Sequence, residues 1–177
     1  MDLELENEEA LWRERAGKGD RAALGQIYDA YAPRVFRYLY RRLGNSSLAE
    51  DLTADVFVRL VEASGTPRFC QGSLAPWLYR LAHNRLVDYF RQHRDLPLPD
   101  EVDMATDEPE ALGIHAQELR AALLRLTPDQ QQVIVLKFLE GLSNAEIAAA
   151  LRKPEGAVKS LQHRALESLR RLLEAKP

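Results

Sequence analysis

Residues 95–111, DLPLPDEVDMATDEPEA, constrain this chain more than any other stretch. Three prolines and seven acidic side chains stand here with no apolar residue recurring at helical spacing. Such a segment cannot bury enough surface to offset the entropy of ordering it. It reads as a flexible acidic linker over residues 95–113. Whatever folds must therefore fold as two separate modules, residues 21–94 and 114–177, behind an acidic N-terminal segment, residues 1–20.

Both modules read as helix. β-branched residues are sparse and strand-like alternation is absent. Residues 21–43 repeat apolar side chains at helical spacing, and Pro33 is expected to kink or split that helix. Ser47 with Glu50 has the spacing of a capping box for the next helix. That helix places Leu52, Val56, Phe57, Leu60 and Val61 on one face. A loop, RFCQGSL (residues 68–74), leads into a long helix carrying Trp77, Leu78, Leu81, Ala82, Leu86, Tyr89 and Phe90, which ends near His93. In the second module, Thr127-Pro128-Asp129-Gln130 and Ser143 with Glu146 both mark helix starts. A last helix runs from about Glu155 to Leu173. The fold class expected is all-α, as two small helical domains.

The net charge of -3 argues weakly against a nucleic-acid partner, but its distribution argues the other way. Residues 1–20 hold three basic and seven acidic side chains, and residues 93–119 hold one and eight. Residues 21–92 and residues 120–177 each hold ten basic and six acidic. Two basic blocks around an acidic one suit a two-domain anion binder, although solvated helix faces produce the same sums. The single cysteine, Cys70, cannot close an internal disulfide and points to a reducing cytoplasm. It reads as a small loop residue. No basic n-region precedes an apolar stretch at the N-terminus, and no run is long and apolar enough to span a bilayer. Neither signal peptide nor membrane insertion is expected. The four histidines lack metal-ligand spacing, and neither a Gly-rich phosphate loop nor G-x-S-x-G occurs. No catalysis, metal or cofactor is expected.

Residues 142–166, LSNAEIAAALRKPEGAVKSLQHRAL, have the spacing of a helix-turn-helix. Ile147, Ala148 and Leu151 come from a short first helix, and Arg152-Lys153-Pro154 breaks it. Val158 and Leu161 face inward from the second, with Ala148 small where the two cross. In such a motif the second helix enters the major groove. Its first turns offer Glu155, Lys159, Ser160, His163 and Arg164 to base edges and phosphates. Two capped structural helices would share the spacing.

This stretch resembles the promoter-reading C-terminal domain of bacterial sigma factors. Their Pro-Glu-Gly-x-Val-Lys-Ser-x-x-His-Arg-Ala pattern stands here as Pro154, Glu155, Gly156, Val158, Lys159, Ser160, His163, Arg164 and Ala165. Residues 126–148 are similar to the same family's lead-in. AEDLTADVFVRLVEA (residues 49–63) resembles the sigma helix that docks on the polymerase clamp. APWLYRLAHNRLVDYFRQHR (residues 75–94) resembles the helix that opens and reads the -10 element. The order of the matches and the short linker point to the compact extracytoplasmic-function (ECF) group.

The resemblance implies three sets of contacts. Asp51, Leu52, Asp55, Val56 and Phe57 would hold core RNA polymerase. Val56 and Phe57 read equally as intradomain core. Phe69, Gln71 and Ser73 in the loop, with Arg80 and Asn84 beside it, would receive an unpaired base of the -10 element. Arg85 and Arg91 would track phosphates. Glu155, Lys159, Ser160, His163 and Arg164 would read the -35 element. Trp77 reads as core. The partners implied are core polymerase, promoter DNA and an anti-sigma factor, with the free chain a monomer.

Three positions depart from the family pattern. Arg152 and Lys153 stand where Gly and an apolar residue are common, which leaves the turn geometry open. Leu161 and Gln162 stand where Arg and Leu are common, so one DNA contact is missing and Gln162 is free to turn outward. Cys70 and Gln71 replace charged residues in the loop. A dimeric helix-turn-helix regulator is the competing reading, and it leaves the first module unexplained.

Overall fold

Asp20 starts the main helix of the first module. Its carboxylate accepts the amides of Ala22 at 2.9 Å and Ala23 at 3.3 Å. It thereby satisfies N–H groups that have no partner inside the helix. The helix runs Arg21–Leu43 and stops at Gly44, whose φ of +64° suits a residue without a Cβ. In the computed structural model, residues 2–67, 69, 72–93 and 113–175 are described. Gln71, Cys70 and all but the last residue of the expected linker lie outside them. The chain divides into two units, Met1–Asp103 and Met104–Pro177. Among the described residues every regular element is helical.

The first unit holds α1 (Asp2–Gly17), α2 (Arg21–Leu43), α3 (Ser46–Ser64) and α4 (Leu74–Gln92). Helix α2 packs against the other three. Its buried row is Ala23, Ile27, Tyr31, Val35 and Leu39, spaced four residues apart, with Tyr38 beside it. Leu52, Val56 and Leu60 of α3 and Leu78, Tyr79, Ala82 and Leu86 of α4 are buried with it. The Tyr38 and Tyr79 rings meet edge to face, with centroids 5.4 Å apart.

Two local expectations are cut back here. Pro33 does not split α2, which continues unbroken through it. Pro33 is exposed, as is Asp29, whose carbonyl it leaves without a helical partner, so water can serve that group. Buried neighbours Tyr31, Ala32 and Val35 hold the backbone in place meanwhile. Ser47 is not the cap of α3. Asn45 accepts the Leu48 amide at 2.9 Å instead, two residues ahead of the expected box, and Ser46 bonds Glu50. Asn and Ser are near-equal caps, so local sequence alone does not decide between them.

The second unit holds α5 (Gly113–Leu124), α6 (Pro128–Ile134), α7 (Asn144–Leu151) and α8 (Glu155–Glu174). Both expected capping boxes form, Thr127 with Gln130 and Ser143 with Glu146. Ala122, Leu126, Ile134, Ala165 and Leu169 make one buried cluster, with Leu123 and Leu172 against it. A π-helical turn, Val135–Leu139, continues α6. It inserts a residue into the helical count, so Val135 and Leu136 stay buried while Phe138 and Leu139 emerge.

Asp20 also binds Arg15 of α1, with Oδ2 2.7 Å from the guanidinium. Arg15, and then the Ala23 amide, hold the Asp20 carboxyl below the usual carboxylate range. A lowered carboxyl contributes stability that is complete above its ordinary pKa and is lost as pH falls through the folded value. Arg15→Gln should therefore raise the NMR titration midpoint of Asp20. An unmoved midpoint would remove Arg15 as the cause.

Candidate nucleic-acid interface

The inner stripe of α8 decides which way its polar residues point. Val158, Leu161, Ala165 and Leu169 are buried at intervals of three and four. Burying a large aliphatic side chain contributes about 1.5–3 kcal/mol, more than any exposed polar pair on the same helix. Glu155, Lys159, Ser160, His163 and Arg164 are consequently all exposed, on the side away from that stripe. The five -35 candidates share one open face.

That face holds its charges in weak internal pairs. Lys159 lies 3.4 Å from Glu155, and His163 Nε2 lies 3.4 Å from Glu167. The Arg164 Nε donates to the Ser160 carbonyl at 3.4 Å. Exposed pairs of this kind are worth about 0–1 kcal/mol, so a phosphate can displace them.

The turn before α8 resolves the question raised by Arg152. Its backbone is left-handed, at φ 53° and ψ 43°. Its amide bonds the Ala148 carbonyl, as does that of Lys153 at 3.1 Å. Arg152 thus performs a glycine's task at a steric cost of about 1–2 kcal/mol. Lys153 then reaches Asp129 in the first turn of α6 at 3.1 Å, tying the turn to the lead-in helix. Gln162 does not turn outward. Its amide donates to Asn144 Oδ1 at 2.7 Å, joining α8 to the first residue of α7. Where an apolar residue would pack, a hydrogen bond fixes the crossing. Ile147 and Ala150 are the fully covered α7 residues at that crossing, and Ala148 is half-buried.

In the first unit the candidates separate into surface and support. Asn84 and Arg91 are exposed on α4, and Arg80 is half-buried. Asn84, Arg85 and Arg91 line a shallow groove of about 310 Å³ with Arg59, Leu81, Val87 and Asp88. Arg85 meets carboxylates of its own helix and of α3. It is ion-paired with Asp55 of α3 and lies 3.8 Å from Asp88, so it braces α4 against α3. Phe69 is 1% exposed and meets Trp77 edge to face, so it anchors the loop and offers no stacking surface. Ser73 is exposed and makes no capping bond of its own.

The docking candidates on α3 divide the same way. Leu52, Val56 and Phe57 are buried, and the Phe57 ring meets Tyr28 at 4.9 Å. They pack beneath the outer face of α3 and contribute little to it. Asp51 is exposed, and Asp55 is half-exposed. The outward apolar residues are Val58 and Val61, 57% and 54% exposed, in a row with Ala54. Val61 was expected on the buried face. A helical count from Ala54 through Val58 to Val61 carries the signal that it lies on the other.

A two-unit, all-helical protein with a helix-turn-helix at its C-terminal end is thus defined. Residues 27–95 match Sigma-70 region 2, and residues 116–169 match Sigma-70, region 4. The ECF RNA polymerase sigma factor BldN of Streptomyces coelicolor is 37% identical over 90% of this chain, which spans 64% of BldN's length. RNA polymerase sigma factor CarQ of Myxococcus xanthus is 33% identical, over 90% of this chain and 94% of its own. CnrH, solved with the cytosolic domain of CnrY, shares the fold at a TM-score of 0.76. It has 22% identity, over 96% of this chain and 99% of that one. The chain belongs to the ECF group of the Sigma-70 family.

Arg152→Gly should raise the stability of the second unit by about 0.5–1 kcal/mol, the left-handed strain relieved less the glycine's extra unfolded entropy. Chemical denaturation of the full chain, followed on the second unit's transition, measures it. A loss of stability would show that Arg152 makes a compensating contact.

Proposed function

We propose that this chain is a sigma factor that directs core RNA polymerase to promoters and catalyses no reaction itself. Residues 114–177 read the -35 element through Glu155, Lys159, Ser160, His163 and Arg164. Residues 21–94 bind core polymerase and open and read the -10 element. The α3 surface that meets polymerase is Asp51, Asp55, Val58 and Val61, held in place by Leu52, Val56 and Phe57. Ser73, Arg80, Asn84 and Arg91 face the -10 element, with Phe69 and Arg85 supporting them. The chain works in the cytoplasm as a monomer when free, and an anti-sigma factor controls it by covering these faces. No described helix is long and apolar enough to cross a membrane, which is compatible with that site of action.

One observation carries this reading: the five polar residues of α8 stand together and open, opposite a buried stripe and behind a formed helix-turn-helix turn. The family membership adds polymerase to what would otherwise be DNA binding alone. Small basic faces supply affinity mainly through phosphate neutralisation, and affinity of that kind weakens with salt.

The test is run-off transcription on a promoter library with added core polymerase. Initiation at defined sites supports the reading. Binding to a palindrome as a dimer with no initiation would replace it with that of a helix-turn-helix regulator. Lys159→Ala should weaken holoenzyme binding across promoter sequences and reduce the slope of log K against log salt by about 0.9, one phosphate's share. An unchanged slope would remove Lys159 from the phosphate contacts.

A further inference from the structure

Helix α1 came from the least promising part of the sequence, yet two of its side chains reach the segment between α3 and α4. Arg13 is 4% exposed. Its Nε donates to the Phe69 carbonyl and its Nη1 to the Gly72 carbonyl. The guanidinium also lies 5.6 Å from the Phe69 ring centroid. Four residues earlier, one face of the helix presents Glu9. Its Oε2 accepts the Tyr31 hydroxyl at 2.6 Å, and its Oε1 accepts the Leu74 amide.

Leu74 is the first residue of α4, and Ser73 in the capping position supplies no side-chain bond. Glu9 therefore caps α4 from 65 residues away. A carboxylate at a helix N-terminus also complements the helix dipole. Capping by Glu9 leaves the exposed Ser73 hydroxyl unused by its own helix. Arg13 meanwhile holds two carbonyls with one planar fork, and a lysine ammonium cannot span both in that geometry. Gly72, at φ +73°, turns the chain between those two holds. The backbone at Phe69 and at Gly72 to Leu74 is thus set by α1, not by the helices it connects.

Holding an unpaired base calls for a surface already in shape when the strand arrives, because ordering it on contact costs affinity. We propose that α1 belongs to the -10 reading apparatus, with Arg13 and Glu9 as positioning residues that fix this backbone for the unpaired strand. The proposal rests on the sigma-factor reading above.

The experiment uses the full chain assembled with core polymerase. It compares affinity for a single-stranded oligonucleotide bearing the -10 sequence with affinity for a scrambled one. Arg13→Lys and Glu9→Ala should each cut that ratio about tenfold, the scale of one misread base pair. Affinity for core polymerase and for -35 duplex should stay at wild-type values. Thermal unfolding of each variant separates lost positioning from lost fold. Should Arg13→Lys fail to fold, Glu9→Ala decides alone, since Glu9 is only half-buried. Variants that are less stable but keep the full ratio would overturn the proposal and leave the sigma reading standing. A wild-type holoenzyme that neither prefers the -10 oligonucleotide nor initiates would overturn both.

Discussion

Burial of one stripe per helix is the constraint from which everything else here follows. Neither unit is large enough to cover its helices on all sides, so each helix has one committed face and one available face. In α8 the committed face is Val158, Leu161, Ala165 and Leu169, and the available one is the cluster around Lys159 and Arg164. In α3 the committed face is Leu52, Val56, Phe57 and Leu60, and the available one is Asp51, Ala54, Val58 and Val61. Apolar burial outweighs the exposed ion pairs by several-fold, so the inner face dictates orientation and the outer face stays exchangeable.

Helix α2 gives this arrangement its rigidity in the first unit. It touches α1, α3 and α4, so displacing any of them disturbs a shared core. The Asp55–Arg85 pair adds a polar brace between α3 and α4. That brace joins α3 to α4 directly. The exposed faces of the two helices are therefore parts of one packed body, not independent patches. In the second unit the same economy appears at the turn, where Gln162–Asn144 and Lys153–Asp129 fix α8 against its neighbours.

Local features were legible in the sequence, and contacts between distant segments were not. The boxes at Thr127 and Ser143 formed because both partners sit within one turn, as did the stripe of α8. Where two local signals competed, as with Asn45 and Ser47, the sequence could not rank them. Pro33 did not split α2, because whether a helix continues through a proline depends on whether the freed carbonyl meets water, which is a tertiary fact. Phe69 was given a surface role on resemblance and is buried, Phe57 was left open between docking and core and is buried, and Arg85 is part-exposed and paired with Asp55. Arg13 and Glu9 carried no local sign at all. Their contacts to the segment before α4 span more than 50 residues, and an acidic segment gave no reason to look for them.

Two faces reading two separate stretches of promoter is the central claim, and site-specific photocrosslinking tests it most directly. A photoreactive side chain is placed at Ser160 or at Asn84, and each holoenzyme is bound to one promoter. Ser160 is predicted to crosslink to upstream duplex at the -35 element, and Asn84 to the -10 element. Crosslinks from both positions to the same stretch, or from neither to DNA, would contradict it.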